Sequence, residues 1–253
     1  MTAQEGFWSD VGRFAGSAAP LIICDYDGVL APIVDDPGRA FPNRQSIDAL
    51  VALSALPDTH VAVVSGRSVG ALETLCTFPA TVHLVGSHGS EYRHGPEIEL
   101  DPGQIDLLGR ITDELSGLAA ADDDLFVETK PFSAAFHYRM ADPVCAERAL
   151  TAVEQGPATW PGVKVKTGKM VIELVVVAAD KGTAVDRLRN QTGAGNVLFV
   201  GDDVTDEDAF GVLSDGDLGI KVGPGETLAK HRIEDPAAVA DLLTTLQQLR
   251  HPT

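Results

Sequence analysis

Residues 21–30 read Leu-Ile-Ile-Cys-Asp-Tyr-Asp-Gly-Val-Leu, and this stretch decides the fold. Leu21–Cys24 is a short, continuous apolar run of the kind that forms a strand buried on both faces of a parallel sheet. It opens directly into Asp25-Tyr26-Asp27-Gly28. Two carboxylates at i and i+2 leave a strand on the same side, and Gly28 permits the tight turn that follows. Acids this close ionise together only at a cost unless a cation lies between them or their roles differ. One can attack phosphorus while the other handles protons, with magnesium sharing the charge. The plainer alternative is a strand ended by a polar turn.

Working outward, Val61–Val64, Val82–Val85, Val197–Val200 and Leu218–Val222 repeat the pattern of short apolar runs, and Asn43–Leu56 has helical spacing of Ile47, Leu50, Val51 and Leu53. Alternating strands and helices predict an α/β fold. Ligands of such sheets bind at the carboxyl ends of strands, where two further signals fall; a third lies where the chain returns from its middle segment into a helix. Gly201-Asp202-Asp203-Val204-Thr205-Asp206-Glu207-Asp208 follows Val197–Val200. A cluster of hard oxygen ligands suits magnesium; a helix start with Thr205 as N-cap and Asp208 in a capping box is the competing reading. Ser65-Gly66-Arg67 follows Val61–Val64 and offers a phosphate cradle or, alternatively, a serine N-cap. Asp180-Lys181-Gly182 places a lysine able to neutralise a nucleophile and a transferring phosphate, or else a surface lysine on a first helical turn.

The middle of the chain reads differently: helix 104–118, strand 125–129, strand 134–139, helix 143–154, strand 163–166 and strand 170–176. Phe136, Tyr138 and Met140 alternate with His137 and Arg139 in a half-exposed pattern. This αββαββ block predicts a small antiparallel sheet with helices on one face and the other face left free. Residues 103–177 are expected to form an inserted α+β cap, and 1–102 with 178–253 the core.

Composition narrows the function. The net charge of −18, from 19 basic and 37 acidic residues, argues against nucleic acid and anionic membrane as partners. The same field would repel a phosphate monoester, so a cation and local lysines must reverse its sign at the site. No apolar stretch approaches the ~20 residues needed to span a bilayer, and Met1–Gly16 lacks the pattern of a secretory signal. Three scattered cysteines predict reduced thiols and a cytoplasmic location, and the histidines show no zinc spacing.

The order Asp-x-Asp, Ser, Lys, Asp-Asp resembles the four-motif signature of haloacid-dehalogenase-like (HAD) phosphatases. Gly86-Ser87-His88-Gly89-Ser90-Glu91, Glu128-Thr129-Lys130-Pro131-Phe132-Ser133, His137-Tyr138-Arg139, Gly168-Lys169 with Glu173, and Gly201–Glu207 narrow the resemblance to the trehalose-6-phosphate phosphatases. It runs from about Leu21 to Leu243. The resemblance implies a Rossmann-like core with a parallel sheet and a C2-type cap. It further implies Mg2+ held by Asp25, the backbone carbonyl of Asp27, and Asp202, plus waters, with Asp203 and Asp206 orienting those waters or completing the shell. Asp25 is then the nucleophile, Asp27 the general acid and base, and Ser65 and Lys181 the phosphoryl clamps. Gly66, Arg67, Glu128, Lys130, His137, Arg139, Lys169 and Glu173 become the substrate-binding set. The implied partner is a small sugar phosphate, handled by a monomer. Two positions depart from the family: Val29 stands where threonine is usual, and Val175-Val176 follow Leu174 where Arg-Pro is common. The second departure allows another sugar or pseudo-disaccharide phosphate, sucrose phosphate among them, as substrate; a noncatalytic sugar-phosphate-binding module is the reading from a different class.

Overall fold

The structure is a computed structural model and describes residues 3–93, 100–168, 170–177 and 179–250. Its first elements are α1 (Ala3–Ala15), β1 (Pro20–Cys24), α2 (Arg44–Ser54), β2 (His60–Val64), α3 (Val69–Leu75), β3 (Val82–Gly86) and β4 (Glu91–Tyr92). Then come α4 (Pro102–Ala119), β5 (Phe126–Lys130), β6 (Ser133–His137), α5 (Pro143–Gln155), β7 (Lys164–Gly168) and β8 (Val171–Val175). The last are α6 (Lys181–Thr192), β9 (Asn196–Gly201), α7 (Glu207–Gly211), β10 (Leu218–Val222), β11 (His231–Ile233) and α8 (Pro236–Arg250). These elements form two compact units, Met1–Gly95 with Ala179–Thr253, and Pro96–Ala178.

In the first unit the strands run β11-β10-β9-β1-β2-β3-β4, parallel except for β4. Alternate residues feed opposite faces, as the pleat requires. Ile22, Cys24, Val61, Val63, Leu198 and Val200 pack into one apolar layer with residues of α1, α2 and α8. Leu21, Ile23, Ala62, Val64, Val197 and Phe199 pack into the other, with Ala184, Val185 and Leu188 of α6 and Phe210 of α7. Burial on both sides is why these strands read as unbroken apolar runs. Val29 is wholly buried in the first layer. Register does the rest: Cys24 lies beside Val63 of β2 and Val200 of β9. The residues that follow these three central strands therefore emerge side by side.

The second unit is an antiparallel sheet in the order β5-β6-β8-β7. Ala134, Phe136, Ile172 and Leu174 pack on Ile111 and Leu115 of α4 and on Ala149 and Val153 of α5. Opposite-parity positions fall on the other face. One row of it is Glu128, Ala135, Glu173 and Lys166, and the next is Lys130, Ser133, Val175 and Lys164.

Two sequence expectations need correction here. The strand predicted over 134–139 ends at His137, because the chain must turn into α5, whose N-cap is Asp142. Met140 lies in that turn and is exposed, not inward on a strand. The turn after β9 is capped by Asp203, with Asp206 completing its capping box, not by Thr205 with Asp208.

Candidate active site

The loops after β1, β2 and β9 meet the start of α6 within the first unit. Asp25 leaves β1 with its own backbone N–H bonded to the Val200 carbonyl at 2.9 Å, which locks the loop to the neighbouring strand. The Tyr26 N–H donates to Asp25 Oδ1 at 2.6 Å, and Lys181 Nζ lies 2.8 Å from Asp25 Oδ2. Lys181 caps no surface: only 2% of it is exposed. Its ammonium also donates to Asp206 Oδ1 at 2.7 Å. Asp206 spends its other oxygen on the backbone N–H groups of Asp202 and Asp203, at 2.8 and 2.9 Å. Asp206 is thus a buried bracket that fixes the Asp202 loop and the lysine together.

The site concentrates negative charge. Oxygens of Asp25, Asp202 and Asp206 come within 4.8 Å of one another. Burial pushes the Asp25 carboxyl up to about 7; Lys181 pulls it down while Asp206 pushes it further up. Burial, with the Asp206 charge beside it, pushes Asp202 up to about 6. Burial alone would lower Lys181, but Asp25 and Asp206 outweigh it and hold the ammonium charged. Three acids crowded around the Lys181 ammonium, offering oxygen donors, fit a hard divalent cation. Close approach of the two acidic loops requires glycine. Gly28 has φ +74°, and a Cβ there would fall 2.0 Å from Asp202 Oδ2. A Cβ on Gly201 would fall 2.3 Å from Asp206 Cγ.

Among the predicted residues, Asp203 is exposed and its carboxylate caps the turn by accepting from the Val204 N–H at 2.7 Å. It stands outside the acidic group formed by the described residues. Ser65 is 1% exposed and is not an N-cap, since Ser68 caps α3; its Oγ accepts from the Arg67 N–H at 3.2 Å. Gly66 lies against the His88 ring, with no room for a Cβ. Arg67 grips Asp27 with Nε at 2.6 Å and Nη2 at 2.7 Å.

In the second unit Glu128, Lys130, His137 and Glu173 share the helix-free face of the sheet, as the register requires. Glu173 Oε1 accepts from Ser133 Oγ at 2.5 Å and faces Lys130 Nζ at 3.3 Å. His137 Nε2 pairs with Glu128 Oε2 at 3.2 Å. Arg139 is exposed beyond the end of β6, and Lys169 lies outside the described residues.

Sequence reasoning passed over two residues. Ser133 holds Glu173, and Lys221, buried near the carboxyl end of β10, donates to the Asp202 carbonyl. The signal for Lys221 was present: a charge inside an otherwise apolar run, Leu218–Val222, needs a buried acceptor.

The trehalose-phosphatase family model matches residues 23–240. The bifunctional trehalose-6-phosphate synthase/phosphatase of Thermoproteus tenax is 35% identical over 245 residues, covering 94% of this chain and 33% of that protein. The trehalose-phosphate phosphatase of Mycobacterium marinum is 33% identical over 239 residues, covering 88% and 60% respectively. The chain therefore spans a third and three fifths of these relatives' lengths. The solved C-terminal domain of C. albicans trehalose-6-phosphate phosphatase superposes with a TM-score of 0.72 at 25% identity, over 95% of this chain and 96% of that one. With its acidic loops, buried lysine and family match in agreement, the chain belongs to the trehalose-phosphatase family.

Proposed function

We propose that the protein hydrolyses a disaccharide phosphate, trehalose 6-phosphate, to trehalose and inorganic phosphate through an aspartyl-phosphate on Asp25. The observation that carries this reading is the Asp25–Lys181–Asp206 arrangement beside Asp202. The Asp25 carboxylate, a fixed ammonium and oxygen donors suited to a hard cation lie close together there, which supports the reading.

In the first step an Asp25 oxygen forms a bond to phosphorus and the bond from phosphorus to the sugar oxygen breaks. Asp27 delivers its proton to that departing oxygen. In the second step water attacks phosphorus, Asp27 takes the water's proton, and the bond from phosphorus to Asp25 breaks. Lys181 and Ser65 hold the phosphoryl oxygens through both steps. Asp25 and Asp202, with the Asp27 carbonyl, would hold Mg2+, whose chemistry is to neutralise charge on the transferring phosphoryl group. Asp206 contributes by fixing the loop and lysine, and Asp203 by capping the turn. Selection among sugars falls to the helix-free sheet face carrying Glu128, Lys130, His137 and Glu173, because phosphate is common to every candidate. A face built to bond hydroxyls rejects an analogue lacking them by about 10⁴.

A second reading, a pseudo-disaccharide phosphate, draws on Val175. It sits between Ser133 and Lys164 on that face where the resemblance leads one to expect arginine. Phosphate release from trehalose 6-phosphate, beside sucrose and glucose 6-phosphates, with and without Mg2+, separates the two. The Asp25→Asn variant tests the covalent route: it is expected to fold and to release no phosphate. Normal turnover by that variant would sink the mechanism.

A further inference from the structure

Arg67 was expected from sequence to bind substrate, yet its guanidinium is committed elsewhere. Nε and Nη2 meet both oxygens of Asp27, at 2.6 and 2.7 Å, in a parallel fork. Nη1 donates to the Pro37 carbonyl at 2.9 Å. The guanidinium carbon stands 5.6 Å from the centre of the Tyr26 ring. Tyr26 is itself wholly buried and anchored by its hydroxyl to the Ala40 carbonyl at 2.9 Å. The Arg67 backbone belongs to the Ser65 loop, and its carbonyl accepts from the Ser87 N–H at 2.8 Å. The arginine side chain is 16% exposed and that of Asp27 38%.

Four contacts on one guanidinium, to three different residues, exceed what a surface ion pair needs. A bidentate fork fixes the plane of a carboxylate as well as its distance, which a lysine cannot do. Asp27 would otherwise be a half-exposed side chain free to choose among rotamers.

We propose that Arg67 is a positioning residue: it orients the Asp27 carboxylate for both proton transfers and takes no direct part in holding the sugar. The role rests on the hydrolase reading above. It also couples the two loops, because the residue that orients Asp27 is continuous with the Ser65 phosphoryl clamp.

The test compares Arg67→Lys and Arg67→Gln with Asp27→Asn on trehalose 6-phosphate and on p-nitrophenyl phosphate, all with Mg2+. A sugar alkoxide leaves only with a proton, whereas p-nitrophenolate leaves without one. For Arg67→Lys, kcat/KM on the sugar phosphate is expected to fall about 10²-fold, in the range of a lost general acid. The fall on the aryl phosphate is expected to be about tenfold smaller, with a burst of nitrophenolate as breakdown of the intermediate slows. Combining Arg67→Gln with Asp27→Asn should cost no more than about threefold beyond Asp27→Asn alone, since both act through one group. Equal losses on the two substrates, or additive losses in the double variant, overturn the role. A native protein that hydrolyses neither substrate overturns the hydrolase reading instead, and the role with it.

Discussion

The ammonium of Lys181 and the carboxylate of Asp25 meet at 2.8 Å, both nearly sealed from solvent. Lys181 is the only cation within ion-pairing distance of Asp25 and Asp206 among the described residues. Removing one partner of a buried pair costs about 3–5 kcal/mol, because the other charge stays buried and uncompensated.

Lys181→Met is therefore expected to lower stability in urea by an amount of that order and to reduce kcat at least about 10²-fold. Added Mg2+ should recover part of the stability, by offsetting Asp25 and Asp202, but not the activity. Equilibrium unfolding with and without the ion checks the first half, and phosphate release the second. Unchanged unfolding free energy would contradict the central place given to this lysine.

Gly28 tests the approach of the two acidic loops. An added methyl would fall 2.0 Å from Asp202 Oδ2 at a φ of +74°. Gly28→Ala must push the Asp202 loop away or strain the backbone by about 1–2 kcal/mol. A ligand at a hundred times its Kd stabilises a protein by about 2.7 kcal/mol. The native protein should gain that much from saturating Mg2+, and the variant less than about half of it. Thermal melts across a Mg2+ series decide this, independently of turnover.

How much of this was legible in the sequence follows from what each signal encodes. The five strands read from apolar runs all formed, because burial on both faces leaves few polar residues to blur them. Short edge strands such as β4 and β11 carry no such run and were invisible. Asp25, Ser65 and Lys181 could be singled out as candidates because each follows a strand end or opens a helix. The bracket role of Asp206 and the grip of Arg67 on Asp27 were not found, because both depend on loops brought together only by register. Helix capping misled in two places: Ser68, not Ser65, caps α3, and Thr205 has the right chemistry for an N-cap, but Asp203, two residues earlier, takes the role.

Glu173 probes the helix-free sheet face. Its carboxylate is oriented by Ser133 at 2.5 Å and Lys130 at 3.3 Å. A hydrogen bond to a charged group is worth about 1.5–3 kcal/mol, or roughly ten- to hundredfold in rate. Glu173→Gln should lose that factor on trehalose 6-phosphate and markedly less on p-nitrophenyl phosphate, which offers no sugar hydroxyls. Matched losses on both would remove this face from substrate selection.

Asp217 carries the pH prediction, at a distance from the chemistry. Its carboxylate accepts from Arg189 at 3.2 and 2.5 Å and from the Val197 and Ser214 N–H groups, each at 2.8 Å. Burial would raise its pKa, but the Arg189 and backbone donors prevail and hold it below the ordinary 3.8. A carboxyl depressed on folding binds its proton more readily when unfolded, so it adds stability above the unfolded value. That contribution declines as pH falls below about 4 and is gone once pH drops below the folded pKa. Asp217→Asn is expected to be clearly less stable than the native protein at pH 7, and the gap should narrow steadily as both are unfolded at successively lower pH below 4. A gap of constant size from pH 7 to pH 3 would show that Asp217 acts through shape alone and that its charge contributes nothing.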